Sequence, residues 1–364
     1  MRLTDREREI VALLRRDPLI GSAAIAERLG TTRAAVNVHL SNLGKKGVIL
    51  GRGYVLSDEP SVVVIGGANM DVKARSARAA VPATSNPGTG SMAAGGVGRN
   101  IAENLARLGT RTHLVAAIGS DGLGDQVLAA TSGAGVHVEH VRRSARATGT
   151  YTAVLDADGE LVVAVSDMAA TDELAPEQVG AARDLVAAAE LVVLDGNLPV
   201  ETLGYALDLA VGHGTRVVLE PVSVPKAAAR AHLISRDRPL HAITPNRDEL
   251  GALTGLPTRT ARQVERAARS LHDRGVELVW VRLGPDGSLL STRDGATRLA
   301  AVAAEVADVT GAGDAMLAGF CHALLAGADT YDAAAYGHAA AALTIASPHT
   351  VRPDLTDRLV RSLL

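Results

Sequence analysis

Apolar positions along the chain fall into two regimes that change near residue 60. Over residues 1–57 they recur at helical spacing in short blocks. Ile10, Val11, Leu13 and Leu14 form one stripe behind Thr4, a helix-capping residue type, and the block stops at Asp17-Pro18. A second block runs from Ile20 to Leu29 and ends at Gly30. Thr31 or Thr32 opens a third, through about Lys46, with Ala35, Val36, His39, Leu40 and Leu43 at helical spacing. Gly47-Val48-Ile49-Leu50 and Gly53-Tyr54-Val55-Leu56 then read as two short strands around Gly51-Arg52-Gly53.

After a polar linker, Ser57-Asp58-Glu59-Pro60, the pattern becomes continuous apolar runs at 62–65, 112–118, 191–194, 216–219, 241–244 and 278–283. Such runs suit strands buried on both faces of a parallel sheet. Ala- and Leu-rich helical stretches at 100–108, 201–211 and 262–274 lie between them. Residues 61–364 are therefore predicted to be an α/β domain, a mostly parallel central sheet flanked by helices. Two stretches break the rhythm: 150–156 and 160–166 alternate around Asp158-Gly159, a hairpin signal. With strands drawn from 71–94, this hairpin predicts a small β-lid over the main sheet.

Charge changes the picture for the first unit only. Residues 1–57 hold ten Lys or Arg and five Asp or Glu, a balance of +5, so the overall −3 leaves −8 for the remainder. Helix, helix, tight turn, helix and hairpin is the layout of a winged helix-turn-helix. Its third helix would enter the DNA major groove, where Arg33, Asn37 and His39 reach bases or phosphates. A small dimerisation domain is the alternative. Aromatics are 2% of the chain, so the core must be aliphatic. The single cysteine, Cys321, excludes an internal disulfide and a cysteine-based metal cluster. No apolar run approaches the roughly 18 residues of a membrane span, and the charged start, Met1-Arg2-Leu3-Thr4-Asp5-Arg6-Glu7, lacks a signal peptide's apolar stretch. A cytoplasmic protein without a membrane partner is expected.

The chemistry centres on Asp308-Val309-Thr310-Gly311-Ala312-Gly313-Asp314-Ala315-Met316. Gly311 and Gly313 let the backbone approach a ligand, and the helix that follows presents free N–H groups that suit an anion. Asp314, in the first turn, can take the proton of a hydroxyl as a phosphoryl group arrives; near an ordinary pKa of about 3.9 it would be ionised at neutral pH. A plain turn with a capping aspartate is the alternative. Far upstream, Gly95-Gly96-Val97-Gly98-Arg99-Asn100 opens another helix and Gly66-Gly67-Ala68-Asn69-Met70-Asp71 follows a strand. Asn69, Asp71 and Asn100 by side chain, with Gly96 by backbone, could clamp a polyol. The phosphate loop Gly-x-x-x-x-Gly-Lys-Ser/Thr is absent, which excludes that kinase class. Ser85-Asn86-Pro87-Gly88 is either a substrate loop or a surface turn, and Asp167 either a substrate contact or a solvated strand end. Lys73 and Arg75 read as surface charge.

These motifs resemble those of the PfkB, or ribokinase-like, carbohydrate kinases over residues 61–364. The segment from Gly95 to Gly109 is similar to that family's first signature, and Asp308 to Asp314 to its second. The resemblance implies a ribokinase-like fold and an ATP- and Mg²⁺-dependent kinase. In it Gly311, Ala312 and Gly313 form an anion hole and Asp314 activates the acceptor hydroxyl. Gly95, in the first signature, and Asp314 join Asn69, Asp71, Gly96, Asn100, Asn86 and Asp167 as candidate substrate contacts, the last two against the alternatives above. Asn246 and Glu249 match an Asn-x-x-Glu motif that places Mg²⁺, through water at Glu249, and the phosphates. Arg282, Gly284 and Gly287 lie in the nucleotide-loop segment, with Arg282 where the family often has Thr. Asp308 and Thr310 match positions that offer backbone oxygens to a monovalent cation such as K⁺. Glu220, before Pro221, stands where Asp is expected. Segments 84–88, 96–105 and 166–168, and the winged helix in front, look most like pseudouridine kinases. That implies the 5′-hydroxyl of pseudouridine as acceptor; ribose, adenosine and a hexose derivative are alternatives. So is a DNA-binding regulator whose kinase-like body senses a sugar or nucleoside. Edge pairing of two lids would give a homodimer.

Overall fold

The computed structural model describes residues 3–51 and 60–364. In the N-terminal unit, helices span Asp5–Arg16, Ser22–Arg28 and Arg33–Lys45. The first is closed by a capping box: Glu7 N donates to Thr4 Oγ1 (3.2 Å) and Thr4 N to Glu7 Oε2 (2.8 Å). Thr32 caps the third, accepting from Ala35 N at 3.2 Å. Ile10, Leu14, Ile25, Val36 and Leu43 have no exposed surface and form a core of their own. The second helix starts at Ser22, later than the apolar block suggested, because Gly21 is its N-cap. The expected second wing strand at 53–56 lies outside the described residues.

The α/β unit contains thirteen described strands: β1 (Ser61–Ile65), β2 (Asn69–Ser76), β3 (Gly88–Gly95), β4 (Arg111–Gly119), β5 (His137–Ser144), β6 (Thr150–Leu155), β7 (Leu161–Asp167), β8 (Leu191–Asp195), β9 (Arg216–Glu220), β10 (Leu240–Ile243), β11 (Val276–Arg282), β12 (Ser288–Ser291) and β13 (Ala296–Leu299). Nine form the main sheet in the order β13-β12-β11-β10-β9-β8-β1-β4-β5. It is parallel from β11 to β5, with β12 and β13 added as an antiparallel hairpin. Two aliphatic clusters, one built on Val62, Val64 and Leu114 and the other on Val63, Ile65 and Val115, pack the alternate residues of β1 and β4. Trp280 and Phe320, fully buried with ring centroids 4.7 Å apart, are the large aromatic exception. Cys321 is also fully buried, and burial raises its thiol to about 12.

The remaining strands form a second sheet, β3-β2-β6-β7, which is the expected lid. The Asp158-Gly159 hairpin joins β6 to β7. β2 leaves the main sheet immediately after β1, so the lid is rooted beside the centre of the domain. The chain runs outward from β1 to β4 and β5, then returns to the other side at β8. Strand order thus reverses between β1 and β8, the place in an open α/β sheet where ligands bind beyond the carboxyl ends. No described helix is long and apolar enough to cross a membrane.

Candidate active site

Two glycine turns meet at the reversal, and a buried carboxylate holds them. Asp195 ends β8 and has no exposed surface. Its Oδ2 accepts from Gly67 N (2.9 Å), after β1, and from Gly98 N (3.0 Å), in the Val97–Arg107 helix. Its Oδ1 accepts from Asn197 N and Nδ2, both at 2.8 Å. Burial raises the Asp195 carboxyl despite these bonds and the nearby Lys226 ammonium. Gly96 caps the helix with φ of +99°, and a Cβ there would stand 2.5 Å from the Gly67 carbonyl oxygen, so the approach of the two turns requires glycine.

The helix Ala312–Leu325 points its N-terminus at the same place. Gly311 caps it in the left-handed region (φ +80°) without a side-chain hydrogen bond; Ala312 N donates to Val309 O at 3.3 Å, which leaves the next N–H groups, at Gly313 and Asp314, for a ligand. Asp314 lies in that turn, and Asn100 Nδ2 donates to its Oδ2 at 2.9 Å across 214 positions of sequence. The Asn100 amide is itself oriented, because Arg99 Nη1 donates to its Oδ1 at 3.2 Å. Arg99 is buried and held by Ala94 O (2.8 Å), Thr131 Oγ1 (3.2 Å) and the Glu103 carboxylate. Burial raises Asp314 to about 8, with Glu220 and Asp195 adding repulsion while Asn100 and Arg282 oppose it. The expectation of an ordinary, ionised aspartate is thus corrected: in the free protein this carboxyl holds its proton at neutral pH.

The lid supplies the opposite wall. Asn69 Nδ2 donates to Asp71 Oδ1 at 2.7 Å, and Gly95 pairs with Asn69 so closely that a Cβ at Gly95 would overlap the Asp71 carboxylate. Burial raises Asp71, opposed by Asn69, Lys73 and Arg99. Lys73 is not simple surface charge. Its ammonium donates to Asp308 Oδ2 at 2.7 Å and lies 3.4 Å from Thr310 Oγ1, tying β2 to the loop before the Ala312 helix. Asp308 Oδ1 accepts from Thr310 N and Oγ1 (2.8 and 2.6 Å). Arg75, likewise, donates to the Ala157 carbonyl in the β6–β7 turn. Asn86 is exposed and spends its amide on its own loop, accepting from Val81 N (2.9 Å) and donating to Val81 O and Thr84 O. The Asp167 side chain is exposed and accepts from Ala169 N (3.1 Å), while its backbone lies near Asn69 beside Gly149.

On the far side, Asn246 and Glu249 form a capping box for the helix Arg247–Thr254: Asn246 Oδ1 accepts from Glu249 N (2.9 Å) and Glu249 Oε2 from Asn246 N (2.8 Å). Burial raises the Glu249 carboxyl against the pull of Arg282. Arg282 N donates to Pro245 O (2.8 Å), which brings the end of β11 to the same corner. Gly284 and Gly287 bound the turn from β11 to β12, next to the Arg247–Asp286 ion pair. Phosphates brought to these turns would meet the N-terminus of a second helix.

Comparison with known proteins accounts for this constellation. Residues 59–357 match the pfkB family of carbohydrate kinases. The chain belongs to that family. Residues 3–49 match a winged helix-turn-helix DNA-binding family. The chain is 36% identical to the uncharacterised sugar kinase YeiI of Escherichia coli K12, over 97% of each protein. It is 33% identical to that organism's pseudouridine kinase, over 85% of this chain and 98% of the relative. Among solved structures, Arabidopsis thaliana ribokinase complexed with ribose and ATP superposes with a TM-score of 0.74 at 28% identity, covering 84% of this chain and 98% of that one. The pfkB domain therefore has the ribokinase-like fold, and the protein is an ATP-dependent sugar or nucleoside kinase of a family that uses a divalent metal.

Within the pfkB domain contacts link Asn69, Asp71 and Gly95 to one another, Gly96 to the turn after β1, Asn100 to Asp314 in the turn of Gly311, Ala312 and Gly313, and Arg282 to that turn and to Glu249 beside Asn246. The structure leaves the side chains of Asn86 and Asp167 engaged locally. Sequence reasoning missed Asp195, whose signal was an aspartate closing an apolar strand before Gly196-Asn197, and it missed Lys73.

Proposed function

We propose that this kinase transfers the γ-phosphoryl group of ATP to the 5′-hydroxyl of a ribosyl compound, with pseudouridine the favoured acceptor. The observation that carries the reading is the Asn100–Asp314 hydrogen bond at the uncapped mouth of the Ala312 helix. It puts a proton acceptor beside a set of free amides suited to a transferring phosphoryl group. The acceptor hydroxyl sits between Asp71, Asn69 and Asp314. Asp314 takes its proton on the oxygen that Asn100 leaves open, and the first-turn amides at Gly313 and Asp314 receive developing charge. The relative named a pseudouridine kinase, matched over 85% of this chain, supports a nucleoside acceptor, while YeiI is named only as a sugar kinase. So does Tyr151, which pairs with Asp71 across the lid and offers a ring beside it for a base.

The residues fit a divalent cation. Burial and the neighbouring Glu220 raise the Glu249 carboxyl even though Arg282 lies 3.4 Å from it, so a further cation would still relieve the cost of its ionised form. Asn246 and Glu249 would hold Mg²⁺, Glu249 through water, and Gly284, Gly287 and Arg282 would line the nucleotide. The metal's contribution when bound is to neutralise phosphate charge. For K⁺, the side chains of Asp308 and Thr310 are engaged with each other and with the Lys73 ammonium, which leaves their backbone oxygens, the atoms the resemblance implies, for a monovalent ion.

Incubating the protein with Mg·ATP and a panel of pseudouridine, uridine, adenosine, ribose and fructose tests the assignment. Phosphorylation of pseudouridine at the 5′ position with the highest kcat/KM is expected; phosphate transfer to ribose or a hexose instead would redirect it. Asp314→Asn should lower kcat about 10²- to 10⁴-fold.

The winged helix-turn-helix match favours a second, compatible role as a DNA-binding regulator. Arg33 and Asn37 are exposed on the third helix, as base or phosphate contacts require. Footprinting upstream of the protein's own coding region, with and without nucleoside, should show a protected site that Arg33→Ala weakens. The lid leaves Met92, Val163 and Val165 more than half exposed, an apolar face that a second copy would cover to make a homodimer. Size-exclusion chromatography should give about twice the 37.4 kDa chain mass, and Val165→Lys should halve it.

A further inference from the structure

Arg282 ends β11, yet its side chain turns inward. Nη2 donates to Glu220 Oε1 at 2.6 Å and lies 3.4 Å from Glu249 Oε2. Glu220 is fixed in turn, accepting from Thr244 Oγ1 (2.7 Å) and Val222 N (3.2 Å). The other arm of the fork faces the opposite way: a Cβ on Gly313 would stand 2.5 Å from Arg282 Nη1. One edge of the guanidinium is thus anchored by carboxylates and the other lies at the mouth of the Ala312 helix, next to Asp314. The Arg282 side chain is 17% exposed while its two anchors are 4% and 2% exposed, so the triad opens at the arginine. A triad serving stability alone has no need of that opening, because apolar residues of similar volume pack such a space at least as well. Glu220 and Arg282, the two departures visible in the sequence, are partners: the longer carboxylate reaches the guanidinium that replaces a neutral side chain.

We propose that Arg282 is a catalytic residue of the transfer step, its Nη1 arm binding the moving phosphoryl group, and that Glu220 is the positioning residue that aims it. The proposal rests on the kinase reading above. In the step, the acceptor oxygen forms its bond to the γ-phosphorus and its proton passes to Asp314. The bond from that phosphorus to the β–γ bridging oxygen breaks, and the electron pair leaves on ADP. Arg282 donates hydrogen bonds to the in-flight group and exchanges no proton. A planar fork with a fixed charge suits this role better than a point charge does.

The test uses the full-length protein with Arg282→Ala, Arg282→Lys and Glu220→Gln. With Mg·ATP and an accepted substrate, Arg282→Ala should lose about 10²- to 10³-fold in kcat, the scale for removing one donor to developing charge. The acceptor KM should stay within about threefold, and added guanidinium ion should restore at least tenfold of the loss. Arg282→Lys, which keeps the cation between Glu220 and Glu249, should fold and still lose at least tenfold in kcat. Glu220→Gln should lose less than Arg282→Ala does, and also in kcat. A readout independent of the acceptor is retention of ADP with magnesium and aluminium fluoride, a mimic of the transferring group: the wild type should trap it and Arg282→Ala should not. Kinetics of Arg282→Lys within threefold of wild type, or equal trapping by wild type and both arginine variants, would overturn the proposal. If the wild type phosphorylates no acceptor but its trapping depends on Arg282, the acceptor assignment fails and this role stands.

Discussion

In the transfer proposed above, the proton given up by an acceptor hydroxyl lands on Asp314, and burial keeps that carboxyl protonated up to about pH 8 in the free protein. Asp314 works as a base only when ionised, so kcat/KM should rise with pH and level off above about 8. Asn100 donates to the carboxylate and favours the anion, so Asn100→Ala should move this limb to higher pH; a limb that stays put would show that another group controls it. The same shift bears on stability. The folded pKa lies above the unfolded one, so the native state binds more protons between about pH 4 and 8 and this group's contribution falls as pH rises through that window. Asp314→Asn removes the effect, and its melting temperature should exceed wild type by more at pH 8 than at pH 5. The glycines that mark both turns let the sequence single out Asp314 and Asn100, which the structure joins by a hydrogen bond. Asp195 and Lys73 were not legible, because their roles are fixed by partners 128 and 235 positions away, Gly67 and Asp308.

Strands buried on both faces read clearly, as did the lid hairpin with its alternation and Asp158-Gly159 turn, but the edge of the main sheet did not. The six apolar runs became β1, β4, β8, β9, β10 and β11, whereas β5, His137-Val138-Glu139-His140-Val141-Arg142-Arg143-Ser144, is an edge strand whose charged residues hide its period. Asn246-x-x-Glu249 was read as a ligand motif, and the structure adds a capping role that either reading must respect. Asn246→Ala should therefore cost about 0.5–2 kcal/mol of stability, seen as a lower denaturation midpoint, besides any change in nucleotide affinity. One of the lid's links to the body is the Lys73–Asp308 ion pair, in which both side chains are over two-thirds covered. Lys73→Met should raise the acceptor KM more than it lowers kcat and speed amide exchange in β2 and β3. If the freed Asp308 then recruits a cation, activity should become dependent on added K⁺; unchanged exchange and kinetics would leave the pair without a role in closure.

The whole molecule is two folding units with separate cores. Every residue of the N-terminal cluster lies between Leu3 and Ile49, and neither of the two larger clusters contains any of them. Calorimetry should resolve two transitions, and a nucleoside with Mg·ATP should shift only the one belonging to the pfkB domain. A single transition that moves as one with ligand would show coupling between the units. The division was legible in the sequence because the apolar period changes at the polar linker. The acceptor and the assembly state were not, since both depend on side chains that meet only after folding.

Cys321 is the chain's only sulfhydryl, sealed inside the Ala312 helix with its ionisation suppressed. The native protein is therefore silent to maleimides. A thiol engineered at the tip of the lid, at Leu161 for instance, would be the sole point of attachment for a spin label or dye. The opening and shutting of the cleft could then be followed in real time without stripping any residue from the natural sequence.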